Sequence, residues 1–346
     1  MKKFEARPEL HGVILPVCDE VPRPRWSVVI PTYNCAKYLE ETLGSVLQQA
    51  PGRDEMEIIV VDDHSTKDDP QAVVDRLGRE RVRFIQQKQN VGKARNYESG
   101  INASRGHLIH QLHGDDRIKP GFYDSMARAF EAHPDAGAFF CESEYINGNG
   151  EVTGRTGKER DDTGLIDNWL EKIVQHQRVQ TPSIVVRRAA YERMGGFDRR
   201  LSGCEDWEMW IRLATEYQVG FVAECLAQYR IHRDNTSSLS VISGTNIQTH
   251  RNVLSIVDSY LPDSLLARSR SLRNTAMAHE LTRHLPGLIS RVGICSWAKF
   301  CLEVLRYRCS PRVVYYLLYF SMQKEINSSS SNLVIVNSGS NRLSEK

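Results

Sequence analysis

The sequence predicts an α/β protein built on a mostly parallel sheet with helices on both faces, followed by a helical C-terminal extension. Four short apolar runs alternate with amphipathic segments between residues 26 and 116, as strands joined by helical crossovers do. Three of the runs stop abruptly at polar residues: Thr32 and Tyr33, Asp62 and Asp63, Asp115 and Asp116. In a parallel sheet these stops share one edge, where ligands bind. From about residue 240 the pattern turns helical.

Residues 1–25 contain four prolines and no sustained period, so they form an arm or linker. The fold begins at Trp26 with "WSVVIPTYN", a β-branched run closed by a proline. "AKYLEETLGSVLQQA" sets Tyr38, Leu39, Thr42, Leu43, Val46 and Leu47 at helical spacing. "EMEIIVVDDHS" is a second strand, "DPQAVVDRLG" a second helix, and "RVRFIQQ" a third strand; "KARNYESGINAS" is a helix and "HLIHQLHGDD" a fourth strand. After Pro120, "GFYDSMARAFEAHP" is a helix and "AGAFFCESEYI" a strand. "DNWLEKIVQH" is helical, "TPSIVVRRAAYERMGGF" a strand entering a helix, "EDWEMWIRLATEY" a helix opened by acids, and "VGFVAECLAQYRIH" a strand or pair of strands. The expected organisation is an arm over 1–25, an α/β domain over 26–236, a helical extension over 237–325 and a polar, disordered tail over 326–346.

A chain of 346 residues accommodates one large core plus an appendage. Hydrophobic content of 40% and charged content of 25% exclude wholesale disorder and a polytopic membrane protein. The net charge of +2 is unevenly spread: from residue 241 onward 13 Lys and Arg face 6 Asp and Glu. Such a basic tail is either a solvated face or a contact for an anionic membrane surface; no nucleic-acid partner is expected. The eight cysteines have no CxxC pair, which suits reduced thiols. "MKKFEARPELHG" lacks a signal-like apolar stretch, so a cytoplasmic location is expected. The run from Val313 to Phe320 is too short to cross a bilayer. It is either an interfacial helix, giving peripheral contact with the cytosolic face of the membrane, or a buried core helix.

Adjacent carboxylates at Asp115 and Asp116, just past a strand, suit a hard cation such as Mg²⁺ or Mn²⁺ completed by substrate phosphates. Asp115 is the expected metal residue and Asp116 is assigned to the donor side. Asp62 and Asp63 serve either as turn residues or as part of the same site, Asp63 accepting from a base or ribose. Glu205 and Asp206 open a tryptophan-rich helix, where acids also sit for dipole reasons. As a functional pair they supply a general base, desolvated by Trp207 and Trp210. His232 is either a ligand to the cation or a surface polar residue. Lys93 and Arg95 open a helix after "QNVG" and either meet phosphate or are solvated.

The ordered motifs "SVVIPTYN", "EIIVVDDHS", "NVGKARN", "HGDD" and "CEDWEMW", followed by "YRIH", resemble the family 2 glycosyltransferases of GT-A fold over about residues 26–236. The resemblance implies inverting transfer of a sugar from a nucleotide-sugar to an acceptor hydroxyl, saccharide or lipid-linked, aided by Mg²⁺ or Mn²⁺, as in surface polysaccharide or glycoconjugate assembly. It implies nucleotide contacts at Pro31, Thr32, Tyr33 and Asp63, Lys93 near the phosphates, Asp115 as chief metal ligand and Asp206 as base. Two departures stand out: His113 replaces the first acid of the D-x-D motif, and "NVGKARN" is about two residues shorter than the commonest form. A nucleotidyltransferase is disfavoured because "IPTYNCAKYL" has no Gly-rich phosphate loop, and a dehydrogenase because no G-x-G-x-x-G follows the first strand. A non-catalytic sugar-nucleotide binding or scaffold protein of the same fold is the alternative, encouraged by His113 alone.

Overall fold

The computed structural model describes residues 4–18, 22–233, 235, 245–269, 273–274, 302, 305 and 317. The chain divides into two compact units, 1–263 and 264–346. In the second, residues 264–269 are helical, while most of the expected extension, the 313–320 run apart from Leu317, and the 326–346 tail lie outside the described residues. No helix of the described residues is long and apolar enough to cross a membrane.

In the first unit a ten-stranded sheet is formed by β1 (Trp26–Thr32), β2 (Met56–Asp62), β3 (Val82–Gln86), β4 (Leu108–Gln111), β5 (Arg117–Ile118), β6 (Ala138–Ile146), β7 (Val152–Arg155), β8 (Gly164–Leu165), β9 (Ile184–Arg187) and β10 (Val219–Arg230). Its order is β3-β2-β1-β4-β9-β6-β10-β5, with β7 on β6 and β8 on β10. The strands β3, β2, β1 and β4 are parallel neighbours. The short β9 runs antiparallel between β4 and β6, so β6 and its parallel partner β10 again point the same way as β1. The sheet is therefore mixed but mostly parallel, as expected. The last strand is one continuous element, not a pair, whose register slips between Val222 and Ala227.

The helices are α1 (Pro8–His11), α2 (Ala36–Leu47), α3 (Pro70–Leu77), α4 (Lys93–Ala103), α5 (Phe122–Ala132), α6 (Trp169–Ile173), α7 (Arg188–Met194), α8 (Glu205–Glu216) and α9 (Asn246–Asp258). Strand alternation sorts the core. Val28, Ile30, Ile58 and Val60 pack with Leu39 and Leu43 of α2, Val74 of α3 and Phe122 and Met126 of α5. The opposite face presents Val29 and Val61 to α4 at Gly100, where a Cβ would lie 2.4 Å from Val29 Cγ1 and 3.1 Å from Val61 Cγ2. Only glycine lets α4 settle this close. Gly100→Ala is expected to lower unfolding stability by about 1–3 kcal/mol through overpacking, measured as a lower urea midpoint at unchanged slope.

The expected N-terminal arm is packed against the domain. Leu15 N and Asn102 Oδ1 are 2.9 Å apart, and Asn102 returns a bond to the Val13 carbonyl at 2.9 Å. Phe4 N donates to Glu216 Oε1 at 2.9 Å, and the Arg212 guanidinium lies 5.1 Å from the Phe4 ring centre. Gly12 takes φ +69° over Glu98, whose carboxylate would collide with any Cβ there. His11 is buried 3.5 Å from Asp198. His11, Asp198 and Glu208 lie close enough to share an ion, but Arg200 and Arg212 neutralise the two carboxylates, so this cluster is a structural clasp.

Candidate active site

The three expected strand ends meet at one edge because the parallel register aligns them: Thr32 stands opposite Asp62, and Gly114 N extends the ladder to the Pro31 carbonyl at 3.0 Å. The turns after β1 and β2 use left-handed residues, Asn34 at φ 52° and His64 at φ 63°. Asn34 Oδ1 accepts from Thr66 N and Lys67 N at 2.9 and 3.0 Å, tying the turns together. Pro31 and Thr32 are buried and Tyr33 projects outward. Asp62 is fully buried and caps its own turn through Ser65 N at 2.9 Å. Asp63 accepts from Val91 N at 2.7 Å and Gly92 N at 3.0 Å, which tethers the entry to α4; burial outweighs these bonds and raises its pKa.

Asp115 and His232 form a pair, Oδ2 to Nε2 at 3.0 Å. Their placement depends on Arg230, which is buried and donates from Nε to the Asp115 carbonyl at 2.7 Å and from Nη2 to Glu41 Oε2 at 2.7 Å. Arg230 N also donates to Asp116 Oδ1 at 2.8 Å. The Tyr38 ring lies against both the Arg230 guanidinium, at 4.5 Å, and the His232 ring, at 4.8 Å. Asp116 is buried, and burial followed by the Asp115 charge raises its pKa well above the usual carboxylate range. His113 stacks on Tyr97 with ring centres 5.5 Å apart, and burial lowers its pKa. The ligand atoms of His113, Asp115 and Asp116 lie within 4.8 Å of one another. Among the described residues, Asp116 Oδ2, His113 Nε2 and His232 Nδ1 are buried with no hydrogen-bond partner. Carboxylate oxygens and imidazole nitrogens so arranged are the donor types a divalent cation takes.

On the other side, the N-termini of α4 and α8 meet through Lys93 Nζ and Glu205 Oε1 at 2.7 Å. Burial opposes the ammonium charge, but Glu205 more than compensates and the Lys93 pKa rises. Asp206 accepts from Gln177 Nε2 at 2.9 Å and Thr181 Oγ1 at 3.3 Å on Oδ2, and from Trp207 N at 2.8 Å on Oδ1. Its pKa is pushed up to about 6, by burial first and by the Glu205 charge second. The two tryptophans are core residues, and Trp207 Nε1 donates to the Ile173 carbonyl at 2.8 Å. That contact uses α6, a single turn shorter than the expected helix.

Tyr97 links the two sides. Its phenol is buried and is pushed well above its ordinary pKa by burial, then by the charges of Glu205, Asp206 and Asp115. The carboxylates that follow β4 and open α8 thus act on one phenol. Cys35, whose Sγ lies 2.9 Å from Thr32 Oγ1, has its thiol pushed up to about 12 by burial first and the Asp115 charge second, so it is not a nucleophile. Tyr97 is four residues after Lys93 on α4, a same-face spacing that could have revealed it. Gln177 and Thr181 come from an aperiodic segment that carries no such signal.

The model of glycosyl transferase family 2 matches residues 27–165. An uncharacterized protein of Mycobacterium tuberculosis is 31% identical over 270 residues, covering 70% of this chain and 79% of the relative. An uncharacterized glycosyltransferase of Methanocaldococcus jannaschii is 29% identical over 220 residues, covering 62% and 74%. The chain belongs to glycosyl transferase family 2. Among solved structures, S. aureus TarS 1-349 in complex with UDP-GlcNAc resembles this family 2 chain with a TM-score of 0.60 at 17% identity, covering 92% of this chain and 94% of that one. The two share the GT-A fold.

Proposed function

We propose that this chain is an inverting, metal-dependent glycosyltransferase that moves a sugar from a nucleotide-sugar to an acceptor hydroxyl. The observation that carries the reading is the opposition, across Tyr97, of a carboxylate poised to take a proton and a carboxylate–imidazole pair. Asp206, with a pKa of about 6, is ionised at neutral pH yet basic enough to deprotonate an alcohol as it attacks. Glu205 keeps Lys93 charged, and that ammonium would face the diphosphate. Asp115, with His113, Asp116 and His232 beside it, would hold a Mg²⁺ or Mn²⁺ ion that neutralises charge on the departing diphosphate. Pro31, Thr32, Tyr33 and Asp63 would line the nucleotide. A single displacement needs no enzyme nucleophile, in keeping with the protonated Cys35 thiol.

TarS bound to UDP-GlcNAc supports a nucleotide-sugar donor. Surface polysaccharide or glycoconjugate assembly, with peripheral contact at the cytosolic membrane face, suits the basic C-terminal region. The test is nucleoside diphosphate release from a panel of UDP-, GDP- and dTDP-sugars, with and without Mn²⁺ and saccharide acceptors. Release from one donor that Mn²⁺ and an acceptor both stimulate is expected. Tight binding of a nucleotide-sugar with no release under any condition would assign the chain to the non-catalytic alternative.

A further inference from the structure

We infer that Gln177 binds a hydroxyl of the acceptor adjacent to the one that reacts, so that the acceptor is a saccharide presenting a vicinal diol. The inference rests on the reading of Asp206 as the base and adds the chemistry of the group presented to it. Gln177 Nε2 donates to Asp206 Oδ2 at 2.9 Å. A carboxylate only accepts, so the amide must face it nitrogen-first; the reverse orientation would oppose two acceptors. The amide oxygen is thereby turned away. It is buried and meets no donor among the described residues.

A buried acceptor without a donor is rare in a folded protein and calls for an explanation. The segment cannot easily swing to relieve it. Arg178 Nη1 holds Glu159 at 2.9 Å, Arg178 Nε donates to the Lys172 carbonyl at 3.0 Å, and His176 Nδ1 lies 3.1 Å from the Gln177 carbonyl. The Asp206 oxygens are also unequal. Oδ2 already accepts from Gln177 and Thr181, whereas among the described residues Oδ1 accepts only from Trp207 N, so the acceptor proton goes to Oδ1. Because the amide oxygen is bonded to the same carbon as the nitrogen that touches Asp206, a hydroxyl on Asp206 and a second on Gln177 Oε1 would stand close enough to be neighbouring hydroxyls on one sugar ring. An acceptor hydroxyl fits better than a donor one, because Lys93 and Asp63 reach the site from the β2–α4 half of the sheet and Gln177 from the connection between α6 and β9.

The test uses the full chain with Mn²⁺ and the donor it turns over, methyl pyranosides as diol-bearing acceptors, their monodeoxy counterparts, and 2-propanol. In the wild type, removing the neighbouring hydroxyl is expected to lower kcat/KM by about 10- to 100-fold. Gln177→Leu keeps the length and lacks both amide ends: losing the donor to Asp206 changes kcat for both glycosides alike, while losing the acceptor should bring the two within about threefold of each other through acceptor KM, with donor KM holding. Gln177→Asn, which retains both amide ends, should keep part of the preference and guards against a folding defect in the leucine variant. Four outcomes overturn the inference: an unchanged preference in a leucine variant that melts like the wild type, a shift in donor KM instead of acceptor KM, 2-propanol serving as well as the glycosides, or donor hydrolysis with no transfer to any glycoside. Each leaves the transferase reading standing if Asp206→Asn is inactive; absence of any donor turnover by the wild type removes both.

Discussion

Replacing Asp206 with asparagine is expected to slow transfer by about 10²- to 10⁴-fold, the usual worth of a positioned general base, while donor affinity stays within a few-fold. The substitution removes the proton acceptor but no donor contact. Because the base must be ionised, kcat/KM of the wild type should rise with pH through about 6, the value to which burial and then Glu205 push this carboxyl. The same shift has a signature in stability. The folded pKa lies above the ordinary 3.8, so the folded state holds the proton more tightly than the unfolded chain. The stabilisation from that proton is complete below about pH 4 and lost as pH rises through about 6. Asparagine cannot titrate, so the melting temperature of the variant relative to the wild type should climb between pH 4 and pH 7. Retained transfer with an unshifted pH profile would move the base elsewhere, Glu205 being nearest.

Asp115→Asn is expected to abolish the gain in donor affinity that Mn²⁺ gives and to slow transfer by on the order of 10²-fold or more, since the ion would supply several kcal/mol of charge stabilisation to the departing diphosphate. The fold should survive the change. The Asp115 main-chain carbonyl, which Arg230 holds at 2.7 Å, is untouched, and the asparagine oxygen still offers His232 an acceptor. Two titrations separate the possibilities: Mn²⁺ alone, followed by the loss of its free-ion resonance signal, and nucleoside diphosphate with and without Mn²⁺. Wild-type behaviour of the variant in both would take Asp115 out of the metal role.

What the chain discloses before folding is mostly local. The apolar runs of β1 and β2 were readable because helices cover both faces and nearly every position is buried, whereas which of Val28, Val29 and Ile30 meets which helix layer was not. The direction of β9 was not readable. "SIVVR" has the composition of any buried strand, and its antiparallel insertion between β4 and β6 is decided by the path of the chain around it. The two-residue β5 and β8 and the largely exposed β7 bury too little to leave a pattern. The same division runs through the site. Asp115, Lys93, Glu205 and Asp206 stand where strands end or helices begin, positions that local periodicity marks. Arg230 and Gln177 act through partners 115 and 29 residues away in sequence, a pairing no window of sequence contains.

The N-terminal segment carries a consequence for the reacting centre. By gripping Glu98 and Asn102 toward the rear of α4 and Arg212 and Glu216 toward the rear of α8, it latches together two levers whose front ends are Lys93 and Glu205. A chain begun at Trp26 would keep every residue of the chemistry and lose the latch, and the spacing of the charged tips would then rest on contacts within the domain, such as the Phe197 ring between Tyr97 and Trp210.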